Sequence, residues 1–314
     1  MIQDIGAIAL GLVLLAFAGD WLVKGAVNLA LRLGIPALVV GLTVVAFGTS
    51  APELLVSIKA TLAGLPGIAL GNVVGSNIAN VLLVIGIPAL ITVLHTSRLD
   101  TRQSYVTMLC ASVLFTALAF VGTFHWWSGL ILLGALVFTL WQSYVHTVRH
   151  RAAAEAEDEI EGAAPGLAWS WIGGYLVAGL VGLPLGAQFL VDGAVDIART
   201  FGVSEAVIGL TLVAVGTSLP ELATTVMAAI RKSADVALGN VIGSNMFNLL
   251  GIIGVTALIA PVPVDAAFLR LDLWVMLGTS LLLAPFIFGR RDIGAGIGAL
   301  FVAGYAAYVV FLLM

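Results

Sequence analysis

The sequence is short of charge and almost without cysteine. Charged residues fill 10% of its 314 positions, against roughly 25% in a soluble domain. That shortage excludes an ordinary water-soluble globule. The formal net charge is -4 and no basic face is visible, which excludes a nucleic-acid surface. Cys110 is alone, so neither a disulfide within the chain nor a thiolate metal cluster can form. No Lys or Arg precedes the first apolar run, and Asp4 stands where the basic region of a signal peptide belongs. Despite Ala16-Phe17-Ala18, that run reads as a retained membrane span. No nucleophile–base pair or cofactor motif occurs, so neither an enzyme nor a cofactor is expected.

What the chain has in quantity is hydrophobic residues, at 61%. Apolar runs of about 20 residues, the length that crosses a bilayer as a helix, recur from end to end. The pattern predicts spans over residues 4–33, 36–63, 66–93, 103–123 and 127–148, then 168–200, 204–231, 235–261, 267–288 and 292–313. The hydrophilic linker 149–167 between the two sets carries Arg149, Arg151, Glu155, Glu157, Asp158, Glu159 and Glu161.

Two stretches are written twice. Gly41-Leu-Thr-Val-Val-Ala-Phe-Gly-Thr-Ser-Ala-Pro-Glu53 returns as Gly209-Leu-Thr-Leu-Val-Ala-Val-Gly-Thr-Ser-Leu-Pro-Glu221. Ala69-Leu-Gly-Asn-Val-Val-Gly-Ser-Asn-Ile-Ala-Asn80 returns as Ala237-Leu-Gly-Asn-Val-Ile-Gly-Ser-Asn-Met-Phe-Asn248. Both repeat at an offset of 168 residues, which marks a duplicated unit. Five spans is an odd number, so the halves 1–148 and 168–314 enter the membrane from opposite sides. The expected fold is an all-α membrane protein of ten transmembrane helices, two inverted five-helix repeats with helices 2 and 7 broken. Such repeats place a transport site at their interface near the midplane. Lys and Arg cluster toward one set of loops (Arg32, Arg98, Arg102, Arg149, Arg290 and Arg291 among them). By the positive-inside bias, both termini are outside and the linker is cytoplasmic.

Glu53 and Glu221 fall in mid-span. A carboxylate there costs about 2.5–3.5 kcal/mol even on the lenient insertion scale, so it faces the bundle interior. Each follows a proline, which lacks an N–H and clashes with the carbonyl four residues back, Gly48 or Gly216. Broken backbone at this depth is tolerated only within protein or beside a watery cavity. The break sets main-chain oxygens beside a carboxylate and two hydroxyls: Thr49 and Ser50, or Thr217 and Ser218. Such oxygens suit hard cations, and two glutamates balance one Ca2+. Gly71 and Gly75, like Gly239 and Gly243, form small faces for close helix approach. Ser76 and Asn80 share one helix face, as do Ser244 and Asn248. Asn72, Asn77, Asn240 and Asn245 fall off that face and read as packing or supporting groups. Asp20 and Lys24 read as interfacial snorkelling residues. The histidines lie near predicted helix ends and receive no metal role.

With these motifs quoted, the chain resembles the Ca2+:cation antiporter superfamily, and in its ten-helix layout the prokaryotic sodium/calcium exchangers, over nearly its full length. The resemblance implies four central ion sites between helices 2, 3, 7 and 8. Glu53 and Glu221 would be the shared acidic ligands, and Thr49, Ser50, Thr217 and Ser218 would add hydroxyl or carbonyl oxygens. Ala46 and Ala214 would offer backbone carbonyls to the outer sodium sites, which Ser76 and Ser244 complete. Asn80 and Asn248 would line the middle site, and helices 1 and 6 would slide to switch access. Asn248 stands where some members carry Asp, which weakens a case for potassium co-transport. The implied activity is Na+/Ca2+ exchange in a prokaryotic inner membrane, with Ca2+ and Na+ as substrates, the bilayer as surroundings and no protein partner. A proton/calcium antiporter using the same glutamates stays open, and a passive cation channel is the reading from another class.

Overall fold

The computed structural model describes residues 2–99, 101–149, 164, 166–202 and 214–313. The charges from Arg151 to Glu161 and residues 204–213 of the predicted seventh span lie outside these. The rest is a helical membrane protein. Among the described residues, seven helices are long and apolar enough to cross a bilayer, or eight with one bent pair counted as a span.

In chain order the helices are α1 (Ile2–Leu33), α2 (Ala37–Thr49), α3 (Ala51–Leu62) and α4 (Pro66–Ile91). Then come α5 (Arg102–Ala119), α6 (Trp126–Arg149) and α7 (Trp169–Thr200). The second half continues with α8 (Ala214–Thr217), α9 (Leu219–Ile230) and α10 (Ala234–Ile259). The chain closes with α11 (Ala266–Arg270), α12 (Asp272–Leu282), α13 (Ala284–Phe288) and α14 (Ala295–Leu313). The run predicted over 267–288 stands as one span, Phe268–Gly289, built from consecutive helical segments. Pro285, at the start of α13, cannot donate to the preceding turn, and the chain restarts there.

Burial sorts the bundle. In α4 and α10, 78% and 83% of the spanning window is inside, against 28% in α1 and 22% in α7. The polar duplicated stretch therefore occupies the centre, and the long outer helices face lipid. α1 and α7 pack along each other through small residues. A Cβ on Gly11 would stand 2.6 Å from the Leu190 nitrogen, an approach that only glycine permits. The pair touches the rest of the bundle chiefly where α1 crosses α9.

Short clips join loops at the ends of the bundle. Strands β1 (Thr123–Phe124) and β2 (Val262–Pro263) pair antiparallel. Elsewhere, Leu94 and Ile293 exchange two backbone hydrogen bonds of 3.0 Å. Beside them His95 Nδ1 lies 2.8 Å from Asp292, whose other oxygen accepts from the Ser97 N–H at 3.0 Å.

Candidate ion-binding site

Both glutamate stretches break where the sequence places the break. α2 ends at Thr49 and α3 starts at Ala51, with a 42° bend between them. Ser50 at the junction leaves helical geometry, with φ -84° and ψ 5°. Ser218 repeats this between α8 and α9, with φ -86° and ψ 3°. Each proline then sits in the first turn of a new helix, where its missing N–H loses nothing. Each glutamate follows in that same first turn. A helix start carries unpaired N–H groups and about half a positive charge, which favours a carboxylate by about 0.3–1 kcal/mol or more. The break thus supplies some of the stabilisation that a buried Glu53 or Glu221 requires.

α4 and α10 depart from α-helix too. A π-helical turn spans Asn80–Val84 in α4, and another spans Phe247–Ile252 in α10. Wide turns of this kind re-aim side chains and recur at functional sites. Here they carry Asn80 and Asn248. The halves cross: α3, bearing Glu53, packs on the turn of Asn248, and α9, bearing Glu221, packs on the turn of Asn80.

Both are sealed from water, Glu53 at 1% exposure and Glu221 at 0%. Glu221 Oε1 accepts from Ser50 Oγ at 2.9 Å. Thr49 Oγ1 lies 3.3 Å from the Ala46 carbonyl, 3.1 Å from Asn240 Oδ1 and 3.5 Å from Ser244 Oγ. Ala46, Thr49, Ser50, Ser244 and Glu221 therefore gather on one side. Among the described residues, both Glu53 oxygens, Glu221 Oε2, Ser76 Oγ, Ser218 Oγ, Asn80 Oδ1 and Asn248 Oδ1 are buried without a hydrogen-bond partner. An orphaned buried polar atom is costly and rare. Seven at the duplicated motifs, every one an oxygen with lone pairs to offer, make a donor set for a hard cation. Thr217 is half-buried at the end of α8, and Ala214 starts that helix.

Asn72, Asn77, Asn240 and Asn245 take the second of the two roles expected of them, that of supporting groups, for each bonds directly to a predicted site residue. Asn72 donates to the Glu53 carbonyl at 3.1 Å, and Asn240 to the Glu221 carbonyl at 3.3 Å. Asn80 donates to Asn245 Oδ1 at 3.0 Å, and Asn248 to Asn77 Oδ1 at 3.1 Å. Their recurrence at the ligands' own offset was the available signal. Ser57 and Thr225, bonded to Asn72 and Asn240, carry the same signal. Asp20 does not snorkel: it is 15% exposed, 2.9 Å from Lys24 and paired with Arg231 at the end of α9. α1 turns this residue onto α9, where two cations neutralise it. The close-approach faces are also specific. A Cβ on Gly239 would lie 2.6 Å from the Leu38 carbonyl and one on Gly243 2.5 Å from the Leu42 carbonyl. Among the described residues nothing stands within 4 Å of a Cβ added at Gly71 or Gly75, so the expected close approach is seen at Gly239 and Gly243 alone of these four.

Broken helices that start on carboxylates inside a membrane bundle define the architecture of an ion-coupled secondary transporter. The chain belongs to the sodium/calcium exchanger protein family, whose model matches residues 4–145 and 171–314. It is 34% identical over 342 residues to the sodium/calcium exchanger MaX1 of Methanosarcina acetivorans, covering 96% of each chain. It is 33% identical to the inner membrane protein YrbG of Escherichia coli, covering 99% of this chain and 97% of that one. Its fold superposes on the solved sodium-calcium exchanger NCX_Mj with a TM-score of 0.85, at 34% identity and 100% coverage of both chains.

Proposed function

We propose that this protein is a secondary antiporter that exchanges Na+ for Ca2+ by alternating access. The observation that carries the reading is the set of unpartnered buried oxygens on Glu53, Glu221, Ser76, Ser218, Asn80 and Asn248. Family membership and the naming of MaX1 and NCX_Mj as sodium/calcium exchangers support it. On this reading the chain is ten spans in two inverted repeats, 1–148 and 168–314, joined by a cytoplasmic linker over 149–167. It lies in the inner membrane of a prokaryote with both termini outside.

Ca2+ and Na+ compete for one oxygen set. Glu53 and Glu221 supply the charge, and Thr49, Ser50, Thr217, Ser218, Ser76 and Ser244 supply hydroxyls. Ala46 and Ala214 supply main-chain carbonyls, and Asn80 and Asn248 supply amide oxygens. A loaded site is neutral enough to cross a low-dielectric centre. An empty one holds two uncompensated carboxylates, and that cost opposes switching. The requirement couples the two ions. α1 and α7, joined to each other more closely than to the bundle, move as the switching unit.

The test is calcium-45 uptake into sodium-loaded proteoliposomes diluted into sodium-free medium at fixed pH. Uptake requires internal sodium and vanishes in Glu53→Gln and Glu221→Gln, with both variants still folded. Uptake that ignores sodium and follows an imposed pH gradient makes the protein a proton/calcium antiporter. Flux that persists in both variants removes these glutamates from the site.

A further inference from the structure

We propose that Asn72, Asn77, Asn240 and Asn245 are positioning residues that set the polarity of the site: they take up its amide N–H groups and threonine hydroxyl protons, so that lone pairs face the cation. The inference rests on the reading of an oxygen-lined cation site.

An asparagine ligand carries a hazard. Its oxygen attracts a cation and its NH2 repels one, and the two ends have almost the same shape. A threonine hydroxyl has the same ambiguity through its single proton. Packing alone cannot choose between the orientations, but a hydrogen bond to a group of fixed polarity can.

Backbone carbonyls provide that fixed polarity, since they only accept. Asn72 Nδ2 donates to the Glu53 carbonyl, so Asn72 Oδ1 is turned outward and lies 3.5 Å from Thr217 Oγ1. Asn240 Nδ2 donates to the Glu221 carbonyl, and its Oδ1 accepts from Thr49 Oγ1 at 3.1 Å. Asn77 Nδ2 donates to the Asn245 carbonyl at 3.2 Å, which leaves Asn77 Oδ1 for the amide of Asn248. Asn245 Nδ2 contacts the Met108 sulfur at 3.8 Å, and its Oδ1 accepts the amide of Asn80. All six Nδ2 groups are thereby occupied. Of the six Oδ1 atoms, only those of Asn80 and Asn248 have no partner among the described residues, and these belong to the two proposed ligands. Each of these asparagine bonds to Thr49, Thr217, Asn80 and Asn248 runs between halves of the chain, so each half orients the other's ligands.

The test is a double-mutant cycle on reconstituted full-length protein, reading the KM for Ca2+ in sodium-driven uptake, with melting temperature alongside. Asn77→Leu removes the acceptor that holds the Asn248 amide. It is expected to raise KM by roughly tenfold or more, the scale of a lost contact to a charged group, with maximal uptake changed less. Asn248→Asp replaces the amide by a carboxylate that has no wrong end. On that background Asn77→Leu is expected to change KM by less than about threefold, since no amide remains to misorient. Asn245→Leu, alone and with Asn80→Asp, repeats the cycle in the other half. Equal effects on both backgrounds overturn the proposal, because a purely structural residue does not sense whether its neighbour is an amide. Failure to fold on both backgrounds overturns it for the same reason. Wild-type protein without cation-coupled Ca2+ uptake overturns the functional reading as well, so the two failures are told apart.

Discussion

Gly243→Ala tests the claim that close backbone approach builds the site. A Cβ at residue 243 would lie 2.5 Å from the Leu42 carbonyl oxygen and 2.6 Å from Ala46 Cβ. Ordinary carbon–oxygen and carbon–carbon contacts need about 3.3 Å and 3.5 Å. α2 or α10 must therefore retreat by about 0.8–1 Å, and neither obstacle is the mobile end of a side chain. Overpacking of this kind costs about 1–3 kcal/mol. Alanine returns about 0.4–1 kcal/mol through the unfolded chain, so the net loss of stability is modest. Transport is the sensitive readout. Ala46 is a proposed ligand, and Thr49 lies on the same short stretch of α2. A displacement near 1 Å at a binding constellation can cost on the order of 100-fold. Gly278→Ala is the control, for nothing described stands within 4 Å of its added Cβ. Sodium-driven calcium-45 uptake should collapse in Gly243→Ala, with a melting point lowered by only a few degrees, and be unchanged in Gly278→Ala. Wild-type uptake in Gly243→Ala would refute the reasoning.

Two further perturbations address the ends of the bundle. Arg231→Met leaves Asp20 with Lys24 alone; thermal melting should show a loss of about 1–2 kcal/mol, below the 3–5 of a fully buried broken pair, because one cation remains. Asp20→Asn removes the charge that both cations share and should lower the melting point as well. Partial burial works to raise the Asp292 carboxyl, but hydrogen bonds from Ser97 and His95 and the charge of His95 hold it below the usual carboxylate range. A depressed carboxylate stabilises the folded clip above its unfolded pKa of about 3.9, and that contribution is lost as pH falls through the folded value. Asp292→Asn should do the same at neutral pH, read as faster amide exchange at residues 94–98 and 291–293, with the β1–β2 clip unaffected.

The motifs were legible because their chemistry is local. A Pro-Glu step after Thr-Ser in an apolar run dictates a break, a fresh helix start and a carboxylate upon it, and both breaks stand where the residues place them. Duplication made it legible that Glu53 and Glu221 hold equivalent places in the two halves. The asparagines were less so, since helical periodicity assigns Asn72 and Asn77 to another face than Asn80. Their hydrogen bonds to Glu53, Asn245 and Asn248 exist only once the halves cross, and the π-helical turns at Asn80 and Phe247 shift the faces that an ideal helix predicts. Asp20 was misjudged for a related reason. Nothing near it in the chain announces Arg231, more than two hundred positions on.

The two halves carry almost the same motifs, yet they do not adopt the same bonds. Ser50 Oγ donates to Glu221, while Ser218 Oγ and both Glu53 oxygens have no partner among the described residues. Local propensity cannot produce this, because Gly-Thr-Ser-x-Pro-Glu is common to both stretches. The difference must come from how the halves are held against each other. On the proposed reading of two inverted repeats that alternate access, a second arrangement would exchange the roles, Ser218 closing on Glu53 and Ser50 leaving Glu221. The ion pair between Asp20 and Arg231 bears on which arrangement is held. Its repeat equivalents are Gln188 and Ala63, which cannot form one. The charge pair therefore strengthens the contact of α1 with α9 and has no counterpart between α7 and α3, so identical motifs rest in unlike states.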